Sequence, residues 1–227
     1  MVSVIIKKLR SEYSDSDAKE LFKKIKSCGA DASLLFYAER IMKKKDPSAR
    51  ARSLIALLTL IELCASADIA APDVKISVSE GGRPNLIFPE CADFNVSHTS
   101  TLVATALALG HGARVGIDVE DGSRTVGKRD TIENIANRFF SKNELEYLKN
   151  GNGSKKERFL ELWTKKEAYL KYTGDGIGKM SETDTLAPTS ESVDFLCEKI
   201  DLDSNTAYFT LCYRAVDGIP EIKLANE

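Results

Sequence analysis

A chain of 227 residues with 43% hydrophobic residues can fill a sizeable core, which excludes a mainly disordered protein. Lys and Arg number 32 against 34 Asp and Glu, a net charge of -2 that predicts no nucleic-acid or membrane partner, so any polyanion site must be local. No apolar run approaches the roughly 18 to 20 residues of a membrane span, and residues 1–10 lack a cleavable apolar core, which predicts a cytoplasmic protein. The five cysteines, Cys28, Cys64, Cys91, Cys197 and Cys212, are scattered and never spaced C-x-x-C, so they read as reduced core fillers.

The first third of the chain reads as helices. Asp17 with Glu20 fits a capping box ahead of Leu21, Phe22, Ile25 and Cys28, and a second apolar stripe runs from Leu34 to Met42. Asp46 as N-cap and Pro47 at the first helical position open a long helix that ends about Ala67. After Pro72 the period changes to that of strands: Ile76 and Val78, a Gly81-Gly82 turn, then residues 86–88, 94–96 and 102–109. Gly110-His111-Gly112 reads as a connector with a solvated histidine. Val115, Ile117 and Val119 then alternate with Gly116, Asp118 and Glu120, giving one apolar face and one with two carboxylates.

Three capping boxes follow, Asp130 with Glu133, Ser141 with Glu144, and Ser154 with Glu157, the last opening a helix that stops at Gly174. Val193, Phe195 and Cys197, a Ser204-Asn205 turn, and Ala207 to Ala215 read as a closing hairpin. Helices followed by strands, twice over, predict an α+β protein of two lobes, 1–110 and 111–227.

The chemistry concentrates on two elements. Asp118 and Glu120 leave one strand face together, close enough for one divalent cation, although ordinary alternation produces such pairs freely. On the helix that opens at Ser154, Phe159, Leu160, Leu162, Trp163, Tyr169 and Leu170 make an apolar arc that also contains Lys166 and Glu167. A buried carboxylate needs a cation, so Glu167 is expected to meet Lys, Arg or metal, with a structural pair to Lys166 as the plain alternative. Lys171 lies one turn beyond Glu167. Ser97 and His98 end a strand and could donate to phosphate, or simply form a turn; neighbours in sequence make a poor catalytic triad. Residues 40–52 hold six basic side chains against Asp46, and residues 138–171 nine against five, whereas residues 181–227 hold three against ten acidic ones. No G-x-x-x-x-G-K-[ST] loop is present, so phosphate recognition would rest on side chains.

In order, Gly82-Arg83-Pro84, Phe94-Asn95-Val96-Ser97-His98, Gly116-Ile117-Asp118-Val119-Glu120, Arg138-Phe139-Phe140-Ser141, and Trp163-Thr164-Lys165-Lys166-Glu167-Ala168 through Lys171 to Gly176 resemble the Sfp-type 4'-phosphopantetheinyl transferases. The resemblance is close over about residues 80–177 and looser back through Arg40 to Ser53. It implies a monomer built as a pseudo-dimer of two similar α+β lobes, with coenzyme A in the cleft between them. It further implies magnesium on Asp118, Glu120 and Glu167, and transfer of phosphopantetheine to a serine of an apo acyl or peptidyl carrier protein, releasing adenosine 3',5'-bisphosphate. Lys171 would stabilise the leaving phosphate and Glu167 could accept the serine proton. Matching positions put Ser97 and His98 on the phosphates, Arg52 and Ser53 near the 3'-phosphate, Gly82, Arg83 and Pro84 near the adenine, and Arg40 as a looser extension. Asp121-Gly122 departs from the family, being acidic and flexible where relatives often have a basic residue, and Ser53 stands where some have threonine. The basic stretch 138–171 would suit an acidic carrier helix. The rival enzyme is a magnesium-dependent phosphohydrolase, and the rival from another class is a non-catalytic carrier-binding module.

Overall fold

The computed structural model describes residues 1–79, 83–123, 131–187, 193–203 and 205–226. It is a mixed α+β chain in two compact units, Met1–Arg114 with Gly218–Glu227, and Val115–Asp217. The tail that the sequence assigns to the second lobe therefore returns to the first unit.

The first unit begins with a strand, β1 (Val2–Lys8), where the sequence suggests helix. Val2, Val4, Ile5 and Ile6 are all buried, because β-branched side chains suit a strand covered on both faces. Three helices follow: α1 (Asp15–Ser27), α2 (Ala32–Met42) and α3 (Pro47–Ser66). The cap of α1 is Ser14, with Asp17 as the reciprocal acid, three residues before the predicted box. Asp46 caps α3 as expected, accepting from the Ser48 and Ala49 amides at 3.0 Å each.

Strands β2 (Lys75–Val78) and β3 (Pro84–Phe88) form a separate ribbon. Strands β4 (Ala92–His98), β5 (Leu102–Leu109) and β9 (Glu221–Asn226) join β1 in the order β4-β5-β1-β9, the last pair parallel and the others antiparallel. Leu54 and Leu60 of α3 are buried in one core with Val103 and Leu107 of β5, and the Thr105 hydroxyl donates to the Ala56 carbonyl at 3.5 Å. Glu62 of α3 holds Lys7 of β1 at 2.7 Å and Lys223 of β9 at 3.4 Å, which ties the returning strand to the helix above it.

The second unit has the sheet β6 (Val115–Asp121), β8 (Asn205–Arg214) and β7 (Val193–Leu202), in the order β6-β8-β7 and antiparallel throughout. Its helices are α4 (Ile132–Phe139), α5 (Lys142–Asn150) and α6 (Lys155–Thr173). The Ser141–Glu144 and Ser154–Glu157 boxes form as predicted. Thr131 caps α4 by accepting from the Asn134 amide at 3.2 Å; the predicted cap Asp130, like Gly81, Gly82 and Ser204, lies outside the described residues. Gly174, at φ 83, closes α6 in the left-handed conformation that glycine adopts without strain. Buried Arg158 donates to the carbonyls of Leu148 at 2.9 Å, Gly151 at 2.8 Å and Gly153, satisfying backbone acceptors where α5 ends. Phe140 stacks on Phe159 and Phe159 on Trp163, while Phe139 meets Trp163 edge-on, joining the end of α4 to α6.

The cysteines are thiols in no disulfide, but only Cys64 and Cys212 are core fillers; Cys28, Cys91 and Cys197 are exposed. Burial pushes the Cys64 thiol up to about 11. Among the described residues no helix is long and apolar enough to cross a membrane.

Candidate active site

The second unit builds its site where α6 crosses β6. A Cβ on Gly116 would run into the Ala168 carbonyl oxygen and stand 2.5 Å from the Tyr172 amide nitrogen, so a side chain there would force helix and strand apart. Asp118 follows Gly116 by two residues and therefore leaves β6 on the same face, toward α6. Its register partner Thr210 confirms that direction, since the Thr210 hydroxyl lies 2.9 Å from that of Thr164 on α6. The carboxylate face is thus roofed by a helix, and Asp118 is only 5% exposed.

Lys171 completes this contact. Its ammonium donates to Asp118 Oδ1 at 2.7 Å and to the Ile117 carbonyl at 3.0 Å, a charge-assisted pair over a strand edge. Glu120 lies two residues along the same face of β6, opposite Tyr208, and is partly buried. Glu167, one helical turn before Lys171, is also partly buried. Besides Arg158, the buried charge on α6 is Lys166, which is fully enclosed and meets not Glu167 but Glu144 of α5, at 2.6 Å. Glu144 also accepts from the Ser141 amide at 2.8 Å, the Thr185 amide at 3.0 Å and the Thr185 hydroxyl at 2.8 Å, and Lys166 donates to the Thr183 carbonyl. Sequence reasoning assigns Glu144 only a capping role. The available signal for its second one is a lysine on an apolar arc, which requires an acid somewhere.

The implied magnesium can be tested against these side chains. Asp118, Glu120 and Glu167 offer hard oxygen donors, and Asp118 already holds a cationic group in a largely desolvated place, so the donor chemistry fits. Among the described residues no three His, Cys, Asp or Glu side chains are drawn together as a ready metal cluster. Lys171 places its ammonium on Asp118.

Asp121 and Gly122 are packed against the neighbouring strand. Asp121 is buried at the end of β6, the Gly122 amide donates to the Thr206 carbonyl at 2.7 Å, and a Cβ on Gly122 would strike that same oxygen.

The first unit carries the remaining candidates. Ala56 of α3 meets Thr105 of β5, which pairs with Val96 of β4, and at the end of β4 Ser97 is buried and His98 exposed. The Lys44 ammonium donates to the Ser53 hydroxyl at 2.8 Å, Arg52 lies 3.6 Å from Asp46, and Arg50 donates to the Lys44 carbonyl at 3.0 Å. Desolvation, then the adjacent Arg52 charge, lowers the Lys44 ammonium below its usual range. Arg40 is exposed near the end of α2, separate from these bonds. Arg83 and Pro84 lead into β3, and the Arg83 guanidinium lies 3.8 Å from Asp93. Gly82 lies outside the described residues.

Comparison with known proteins adds an independent observation. Residues 114–213 match the 4'-phosphopantetheinyl transferase superfamily. The chain is 40% identical over 121 residues to 4'-phosphopantetheinyl transferase HetI of Nostoc sp., covering 51% of this chain and 48% of that protein. It is 33% identical over 106 residues to 4'-phosphopantetheinyl transferase Sfp of Bacillus subtilis, covering 46% and 43%. With 4'-phosphopantetheinyl transferase AcpT of Salmonella typhi the identity is 28% over 127 residues, covering 54% and 62%. The match thus spans about half the length of the curated relatives.

Proposed function

We propose that this chain, which carries a 4'-phosphopantetheinyl transferase superfamily domain in residues 114–213, transfers phosphopantetheine from coenzyme A to a serine of an apo acyl or peptidyl carrier protein. The observation that carries the reading is the Lys171–Asp118 contact, set by the packing of α6 on Gly116 and lying wholly within the matched segment.

Phosphoryl transfer asks a protein for position and charge neutralisation more than for covalent help. In this reading the carrier serine attacks the phosphorus that bears pantetheine, and the bond from that phosphorus to the bridging oxygen breaks, releasing adenosine 3',5'-bisphosphate. Glu167 accepts the serine proton, directly or through one water. Lys171 meets the charge that grows on the departing phosphate. Asp118, Glu120 and Glu167 would hold magnesium, which when bound supplies charge neutralisation at the pyrophosphate. Ser97 and His98 donate to the phosphates, Arg52 and Ser53 take the 3'-phosphate, and Gly82, Arg83 and Pro84 lie along the adenine, with Arg40 at the margin. The reading is of a cytoplasmic monomer without nucleic-acid or membrane partners.

Incubation with coenzyme A, magnesium and a panel of apo carrier proteins, followed by intact-mass measurement, tests it. One phosphopantetheine added per carrier is expected. Cleavage of coenzyme A with no carrier modified would assign a phosphohydrolase, and neither event, with carrier retained on the protein, a binding module.

A further inference from the structure

Helix α6 has two flanks. Lys171 reaches Asp118 on β6, whereas Lys165 holds its ammonium 4.6 Å from the centre of the Phe195 ring on β7, the opposite edge of the sheet. Asp118, Thr210 and Cys197 stand in one row across the three strands, with the Thr164 hydroxyl of α6 against the middle one. On the far flank, wholly within the second unit, α5, α6, β7 and β8 leave between them a cavity of about 240 Å³. Its lining is mainly apolar, with Tyr147, Leu162, Leu186 and Tyr208 among the walls. Cys197, although exposed on its edge strand, turns its thiol beneath α6, where the Thr210 hydroxyl donates to it at 3.6 Å. Desolvation pushes that thiol and the Tyr147 and Tyr208 hydroxyls above their usual ranges, the mark of a poorly hydrated space.

The charges around this cavity do not balance. Glu161 accepts from the Tyr147 hydroxyl at 3.2 Å and meets Lys199 at 3.7 Å, and Lys199 also holds Glu157 at 3.0 Å. Glu198 leaves the other face of β7. Among the described residues Lys165 has a ring and no carboxylate as its partner, and a ring attracts an ammonium without neutralising it.

We infer that the cavity binds a small monocarboxylate with an apolar body, its hydrocarbon against Leu162, Leu186 and the two tyrosines and its carboxylate on Lys165. An apolar pocket with a few convergent polar groups is the usual form of a small-molecule site. Lys165 sets the sign of the ligand, because Glu161 and Lys199 already answer each other. An alcohol of the same chain would fill the walls but leave Lys165 unmatched, and an amine would meet it as a like charge. None of these residues belongs to the candidate transfer site on the other flank, so binding here and transfer there succeed or fail separately.

Octanoate, octanol and octylamine share one chain and differ in the charge of the head at neutral pH, so calorimetric titration of each into the full chain tests this. Octanoate is expected to bind at one site, at least about tenfold more tightly than the other two. Lys165→Met keeps most of the aliphatic stem, and with an unchanged circular dichroism spectrum it should weaken octanoate about tenfold, to the level of octanol. The place of binding is read on the thiols. Octanoate should slow alkylation by iodoacetamide at Cys197, as followed by peptide mass, and leave Cys28 and Cys91, the other exposed cysteines, unaffected. Absence of octanoate binding, equal or tighter binding of octylamine, or full octanoate affinity in Lys165→Met overturns the inference. So does alkylation of Cys197 that octanoate leaves unchanged, or slows no more than that of Cys28 and Cys91.

Discussion

Asp118 is buried deeply enough to need a cation, and the Lys171 ammonium stands 2.7 Å from its Oδ1. Asp118→Asn keeps the shape and removes the charge, so it is expected to reduce transfer at least about a hundredfold while the far-ultraviolet dichroism stays unchanged. Full activity at ordinary magnesium would remove Asp118 from the metal set. Lys171→Met keeps most of the aliphatic stem, and its turnover with saturating carrier should fall more than its coenzyme A affinity, because charge on the leaving phosphate rises only as the bond breaks. Unchanged turnover with weaker binding would make Lys171 a ground-state clamp. In the first unit, a charge-assisted contact is worth about 1.5 to 3 kcal/mol, so Arg52→Ala should cost coenzyme A about tenfold or more in affinity and dephospho-coenzyme A little. Equal losses would identify an arginine that serves only Asp46 and the start of α3, its neighbour at 3.6 Å.

At the scale of elements, α6 is fixed from both sides. Gly116 lets it close on β6, and Lys166 bolts it to α5 through Glu144. Removing one partner strands a buried charge, so Lys166→Met should lower stability by about 3 to 5 kcal/mol in urea titrations, and combining it with Glu144→Leu should recover part of that loss. Additive losses would show that the pair itself contributes nothing. The same elements show what a sequence displays. The boxes Ser141–Glu144 and Ser154–Glu157 were legible because each closes within four residues, and the Gly116-to-Glu120 and Trp163-to-Lys171 segments because their spacing is local. Glu144 and Lys166, 22 residues apart, carry no mutual mark, and periodicity places Lys166 and Glu167 together on the inward arc without showing that the acid for Lys166 comes from α5. The misplaced first cap has a simpler cause: Asp17 is an acceptable N-cap by composition, but Ser14 already uses it as the returning acid.

For the molecule as a whole, two of these caps contribute to its response to acid, alongside the lowered carboxyls of Asp31, Glu62, Glu133 and Asp184. Bonds from the Ser14 hydroxyl and amide hold Asp17 at about 2, and the Ser154 amide, then Lys199, hold Glu157 at about 2, against ordinary values of 3.8 and 4.5. Carboxylates depressed by folding stabilise fully above their unfolded values, so stability should be flat above about pH 5 and fall as pH drops from there toward 2. Melting temperatures across that range check it, and Glu157→Gln should flatten part of the slope; an unaltered slope would mean the cap bonds are no stronger than those to water. The strands β1 and β9 were illegible for a reason of this same scale. A short run such as Glu221–Asn226 alternates charged and apolar residues like any surface segment, and only its pairing with β1 from Ser3 to Lys8 makes it a strand. That pairing also has a meaning in time. A ribosome delivers residues 115–217 in full before it delivers the strand that finishes the first sheet, so the first unit must wait, with one edge of β1 uncovered, while the second is made.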